Sequence, residues 1–310
     1  MKTILIANRG EIASRIIRTL AEMGWRSVAI YADDDSATLP VLQADIAIPL
    51  NASGPAAYLD IEKIVNIAKE QQCDAIHPGY GFLSENAEFA QACANNGIAF
   101  IGPCAETLKL FGDKAQARAL AQDCGVPVLD GLDQQVSLDQ ALGFFKSLPA
   151  GGAMVIKAIS GGGGRGMRVV HHLDEVATAF ERCASEAKNA FGDDALYVEQ
   201  WAPDARHIEV QIVGDAKECV HLYERECSLQ RRHQKVLEVA PSPDLPEALR
   251  QQLYDAALAM ANRTAYVGLG TFEFLVYPLG ESQAGELAFV FMEANPRIQV
   301  EHTVTETVLG

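Results

Sequence analysis

The chain has 310 residues, 49% of them hydrophobic and 21% charged, with 25 glycines and 13 prolines. That is enough apolar material for a substantial core and two or three subdomains, and it excludes collagen-like and low-complexity chains. A formal net charge of −16 repels nucleic-acid phosphates and anionic membranes, which argues against both as partners.

Residues 2–7 read as a buried strand, and Asn8-Arg9-Gly10 turns into a helix that runs to about Met23 and stops at Gly24. Strands follow at 28–31, 74–76 and 98–101, with an acidic loop at Asp33-Asp34-Asp35 and helices at 58–71 and 85–96. This alternation predicts a doubly wound parallel-sheet domain over residues 1–112. A helical pair over 109–124 leads into a second α/β unit. Its strands, at 153–158 and 167–170, flank Gly161-Gly162-Gly163-Gly164, and a helix follows at 173–190. From Leu196 the period changes to two: His207-Ile208-Glu209-Val210-Gln211-Ile212 alternates polar and apolar, and 271–276 and 287–294 read as further strands of that sheet. The part over 113–310 is therefore mixed α+β. No stretch nears the roughly 18 uncharged apolar residues of a membrane span, and no secretory leader precedes the first strand. Seven scattered cysteines without a Cys-x-x-Cys pair suit a reduced, cytoplasmic protein rather than a zinc or disulfide framework.

Three segments carry chemistry. Lys157 and the four glycines that follow it join positive charge to backbone N–H groups able to close on phosphate oxygens. The plain alternative is a flexible hairpin tip without a ligand; the motif is neither a Walker A loop nor a dinucleotide fingerprint. In Met292 to Glu301, an extended chain would line Glu293, Asn295, Arg297, Gln299 and Glu301 along one face. Carboxylate and amide oxygens suit Mg²⁺, a guanidinium suits an oxyanion, and Glu301 suits a general base. The plain alternative is a half-exposed strand, which gives no reason for this series of groups. The third segment, Gln230-Arg231-Arg232-His233-Gln234-Lys235, is a cationic run in an acidic protein. It is either a solvated loop or a cluster facing an anionic substrate. Glu273 and His207, taken singly, read as ordinary strand residues.

The sequence resembles the biotin carboxylase family of the ATP-grasp superfamily. The resemblance rests on residues 6–13, on His77-Pro78-Gly79-Tyr80-Gly81-Phe82-Leu83-Ser84-Glu85-Asn86, on Phe111-Gly112-Asp113-Lys114, on the tetraglycine segment, and on 228–235 and 293–306. It implies a doubly wound N-terminal domain over 1–112 and an ATP-grasp domain over 113–310, with a glycine-rich lid subdomain over about 130–202. It also implies roles. Lys114 and Lys157 contact ATP phosphates under a lid of Gly161, Gly162, Gly163, Gly164, Gly166 and Met167. Glu199 sits at the adenine hinge, in a Glu-Gln-Trp that departs from the tyrosine-containing form. His207, Gln230, His233 and Leu275 line the nucleotide site. Glu273, Glu293 and Asn295 hold Mg²⁺ or Mn²⁺. Lys235, Arg297, Gln299 and the main chain of Val300 hold bicarbonate, and Glu301 removes its proton; Glu301, Arg297 and Lys235 form the catalytic set.

The implied reaction is carboxylation of biotin, as substrate, by ATP and bicarbonate through carboxyphosphate. The implied partners are a biotin carboxyl carrier and a carboxyltransferase. Rival readings are another bicarbonate-activating ATP-grasp ligase, such as a carbamoyl-phosphate synthetase half, and a non-catalytic ATP-binding module. The family has a further C-terminal subdomain with much of its dimer contact, and no equivalent follows here. The expectation is a truncated chain, largely monomeric, with little turnover on free biotin, where the full-length form is a homodimer.

Overall fold

The computed structural model describes residues 1–132, 134–149, 151–159, 166–231, 234–279 and 286–310. Its first sheet is built from strands apolar on both faces, as a parallel sheet covered by helices on either side requires. Strands β1 (Thr3–Ile6), β2 (Arg26–Tyr31), β3 (Ile46–Pro49), β4 (Ala75–His77) and β5 (Ala99–Phe100) pair in parallel in the order β3-β2-β1-β4-β5. Helix α1 (Gly10–Glu22) buries Ile12, Ala13, Ile16, Ile17 and Leu20 on one face of that sheet. Each fully buried aliphatic side chain contributes about 1.5–3 kcal/mol. Helices α2 (Leu39–Gln43), α3 (Ile61–Glu70) and α4 (Ala87–Asn95) follow, and Ile64, Val65, Ile67 and Ala68 of α3 with Phe89 and Cys93 of α4 pack in the core on the other face. β3 escapes the periodicity reading because Ile46-Ala47-Ile48-Pro49 is short and ends in a proline, which an edge strand tolerates. Asn8 ties the end of β1 to the segment after β4 by donating to Pro78 O (2.7 Å) and Tyr80 O (2.8 Å). Gly79, at φ +63°, passes so close that a Cβ there would lie 2.7 Å from Asn8 Nδ2.

Helices α5 (Ala105–Gly112) and α6 (Lys114–Asp123) lead to the second sheet, with Asp113 capping α6 through Ala115 N and Gln116 N. Strands β6 (Gly131–Leu132), β7 (Met154–Ala158), β8 (Met167–Val170) and β9 (Leu196–Gln200) run antiparallel in the order β6-β9-β7-β8. Helices α7 (Leu138–Ser147) and α8 (Val176–Phe191) contribute Ala141, Cys183 and Ala187 to a core with Met154, Ile156 and Val198.

The third sheet is β10 (Arg206–Asp215), β11 (Cys219–Arg231), β12 (Gln234–Val239), β13 (Val267–Pro278) and β14 (Leu287–Asn295), antiparallel in the order β12-β11-β10-β13-β14. Its apolar face (Ile208, Val210, Ile212, Phe272, Phe274) packs on Leu253, Ala257 and Met260 of α9 (Glu247–Arg263). Next to it Glu224 is fully buried, accepting from Ser242 N (2.9 Å), Tyr254 and Arg250. The alternation read from His207 to Ile212 is present, yet both of its faces are buried. Helix α10 (His302–Leu309) follows. Among the described residues, no helix is long and apolar enough to cross a membrane.

Of the two readings of 230–235, a simple loop does not hold for its described residues: Gln230 and Arg231 end β11, and Gln234 and Lys235 open β12. One expectation is corrected: 293–301 is not one extended strand. β14 ends at Asn295, and beyond Pro296 the chain turns, with Arg297 N donating to Asn295 O (2.8 Å) and His302 N to Gln299 O (3.2 Å).

Candidate active site

Strand register assembles the centre. Glu209 stands opposite Glu273 across β10 and β13, and Glu273 opposite Glu293 across β13 and β14. His207, Glu209 and Gln211 share the face of β10 turned away from α9, so that face carries carboxylates in three adjacent strands. Carboxylates directly opposite one another repel, and burial deepens the cost. The surrounding cations and donors decide how each one titrates.

Lys235 reaches in from β12. Its Nζ bonds Glu209, Glu301 Oε1 (2.6 Å) and Glu273 Oε1 (3.3 Å). Burial works against its charge, but Glu273, Glu209 and Glu301 outweigh it and hold the amine protonated. His207 Nε2 lies 2.6 Å from Glu273 Oε2, and Gln230 Nε2 lies 2.8 Å from His207 Nδ1. Burial likewise opposes ionisation of Glu273; the His207 hydrogen bond and charge and the Lys235 charge prevail and hold its carboxyl below the usual carboxylate range. His207 answers in kind: burial lowers it, but the bond to Glu273 and that carboxylate's charge raise it overall. Glu293 differs. Burial and the charge of Glu273 push it up, opposed by the charges of Lys114, Lys157 and His207.

Those two lysines come from the other side. Lys157, in β7, bonds the buried Glu199 of β9, which also pairs with Arg118 at 3.7 Å; Arg118 donates to Leu129 O (2.6 Å). Lys114, at the start of α6, lies over the Tyr197 ring at 6.0 Å. The beginning of β8 faces Lys157 through Met167, with Gly166 at φ +67° just before it.

The segment after β14 closes the centre. Asn295 Nδ2 donates to Glu273 Oε1 (2.7 Å), and Arg297 spans Asn295 Oδ1 (3.2 Å) and Glu85 Oε1 (3.2 Å). Gln299 is buried, with Nε2 3.4 Å from Glu273 Oε1. Val300, in the turn between Gln299 and Glu301, is exposed. Of the residues singled out from sequence, His207, Gln230, Lys235, Glu273, Asn295, Gln299 and Glu301 form one bonded group, which Lys114, Lys157 and Glu293 join electrostatically. Leu275 stands opposite His207 in β13. Arg297 belongs through Asn295, whereas Glu199 bonds Lys157 and Arg118 instead. Gly161, Gly162, Gly163, Gly164 and His233 lie outside the described residues.

Sequence reading missed Glu209, Gln211 and Arg225 as parts of the centre. The first two were visible in the alternation of β10. Arg225, in Tyr-Glu-Arg-Glu-Cys, carries no local signal, because a charged alternating run reads as a solvated face. The oxygens of Glu273, Glu293 and Asn295 suit a hard divalent cation. Glu293, pushed up by burial beside an ionised neighbour, is the group such a cation relieves.

Residues 1–108 match a family model described as the N-terminal domain of biotin carboxylase, and residues 113–310 one described as the ATP-binding domain of the carbamoyl-phosphate synthase L chain. The pyruvate carboxylase of Bacillus subtilis is 49% identical over 313 residues, covering 100% of this chain and 26% of that protein. Human mitochondrial pyruvate carboxylase is 47% identical over 99% of this chain and again 26% of its own length. The chain thus spans about a quarter of these relatives. Among solved structures, a biotin carboxylase complexed with a β,γ-ATP compound from Campylobacter jejuni has a TM-score of 0.91 at 42% identity, covering 99% of this chain and 68% of that one. The biotin carboxylase domain of Hydrogenobacter thermophilus 2-oxoglutarate carboxylase, with MgADP, ADP and bicarbonate, has a TM-score of 0.91 at 39% identity, covering 99% and 66%.

Proposed function

This chain belongs to the biotin carboxylase family, and on that premise we propose that it carries out ATP-dependent carboxylation of biotin by bicarbonate, within a carboxylase that supplies a carrier and a carboxyltransferase. The observation that carries the reading is the meeting on one sheet face of a Lys235–Glu301 pair and a Glu273–Glu293 pair. The division proposed is 1–112 and 113–310, with a lid over about 130–202.

In this reading Lys114 and Lys157 neutralise the phosphates of ATP, and Glu199 lies at the adenine hinge. Glu273, Glu293 and Asn295 would hold Mg²⁺, which screens phosphate charge during transfer. Arg297, Gln299, the main chain of Val300 and Lys235 hold bicarbonate. Glu301 takes its proton as a bicarbonate oxygen attacks the γ-phosphorus and ADP leaves, giving carboxyphosphate. Carboxyphosphate then breaks into CO₂ and phosphate; phosphate takes the ureido proton of biotin, and the nitrogen adds to CO₂. The residues act by positioning and by stabilising charge.

Calorimetry with Mg²⁺ and ATP, followed by labelled-bicarbonate fixation on biotin by the protein that contains this chain, tests the reading. Nucleotide binding and biotin-dependent fixation are expected; a folded protein without Mg²⁺-dependent nucleotide binding overturns it. The match of 113–310 to a carbamoyl-phosphate synthase description supports one rival, a ligase that passes activated bicarbonate to ammonia. ATP turnover stimulated by ammonia and not by biotin would favour that rival.

A further inference from the structure

Arg225 has no exposed side-chain surface, and each of its five N–H groups has an acceptor. Nε donates to Glu209 Oε1 (2.5 Å). One terminal nitrogen donates to Gln211 Oε1 (2.9 Å) and Thr305 Oγ1 (2.8 Å), the other to Gln299 Oε1 (3.1 Å) and Thr271 Oγ1 (3.5 Å). These acceptors come from β10, β13, the turn after β14 and α10.

A guanidinium donates and never accepts. A glutamine beside it is therefore forced to present its oxygen, and its NH₂ must point the other way. For Gln299 the other way is toward Glu273 and the centre. A side-chain amide that turned over would set NH₂ against NH₂ and offer an oxygen to whatever anion the centre holds. A buried mismatch of that kind disfavours the turned-over amide.

We propose that Arg225 is a positioning residue that fixes the Gln299 amide with its nitrogen toward the bicarbonate position, and that Thr305 of α10 completes the fork that holds Arg225 in place. The inference rests on the bicarbonate reading above. Lysine cannot substitute: it has three donors on one point and cannot span Glu209, Gln299 and Thr305 together.

The test is bicarbonate-dependent ATP turnover by the protein containing this chain, with calorimetric nucleotide affinity measured alongside. Arg225→Lys is expected to raise KM for bicarbonate about tenfold while Kd for Mg²⁺–ATP stays within about twofold. In a Gln299→Leu background the same substitution is expected to change KM little, since its effect passes through that amide. An unchanged KM, or losses in KM and nucleotide affinity that simply add across the two variants, overturns the proposal. If Arg225→Lys does not fold, Thr305→Val replaces it. It removes one acceptor and leaves the arginine, with an expected rise in KM of about two- to threefold; no rise overturns the proposal. A wild-type protein with no bicarbonate-dependent turnover removes the underlying reading, and the inference with it. Wild-type turnover with an unaltered Arg225→Lys removes the inference alone.

Discussion

Strand β11 carries a buried ion cluster on each face, and the two follow opposite plans. On the α9 side Glu224 meets one guanidinium, one phenol and one backbone N–H, so its charge and hydrogen bonds are matched within the protein. On the other side Arg225 and Lys235 face Glu209, Glu273 and Glu301, with Glu293 beside them. The first cluster is complete. The second is a shared network: Arg225 and Lys235 are divided among three carboxylates, while Glu293 is reached by the charges of Lys114, Lys157 and His207. Matched burial supports the fold, whereas like charges held opposite one another, as Glu273 and Glu293 are, work against it.

Arg250→Ala breaks the comparison most severely. It leaves Glu224 buried with Tyr254 and Ser242 but without its guanidinium, and a loss of about 3–5 kcal/mol is expected. The urea midpoint should fall at unchanged slope, while nucleotide affinity of the folded protein holds. A loss below about 1 kcal/mol would show that water already screens this cluster.

A matched site can also be spoiled by pH. His77, whose Nδ1 accepts from Gly79 N (3.0 Å), is lowered by burial from 6.5 to about 4. The unfolded chain then binds a proton that the folded one refuses. Stability present above 6.5 is lost as pH falls toward 4, by about 3 kcal/mol. His77→Asn should flatten that part of the urea-midpoint profile; a parallel profile would place the titration elsewhere.

Lys157→Ala probes the proposed nucleotide side. The expected cost is about 1–3 kcal/mol in Mg²⁺–ATP affinity, read by calorimetry, the scale of a charge-assisted contact. The smallest stability effect is expected for Glu293→Gln. Removing one of two opposed carboxylates should leave the stability read from urea unfolding unchanged or raise it by up to about 1 kcal/mol, while the Mg²⁺-dependent part of nucleotide affinity falls. If this variant is strongly destabilised, the two faces of β11 are not built differently after all.

Four of the five strands of the parallel sheet were legible in the sequence as short apolar runs alternating with helices, and Gly24 marked the end of the first helix; the edge strand β3 was not. The β11–β12 hairpin was not, since Gln230 to Lys235 looks alike whether solvated or turned toward buried carboxylates. Periodicity found the polar face of β10, but could not report that a second layer covers it. It failed outright beyond Asn295, where Pro296 and a turn bring Gln299 and Glu301 inward by a route no alternation describes. Arg225 was invisible for a deeper reason. Its meaning lies in acceptors up to 80 positions away, in the case of Thr305.

The saturation of Arg225 has a consequence for exchange kinetics. Guanidinium protons in water are replaced by solvent too fast to observe near neutral pH. Here every N–H is shielded and bonded, so replacement has to wait for the sheet, the turn and α10 to part. The side-chain resonances of Arg225 should therefore persist as a clock for that opening, readable in the folded protein without any substrate present.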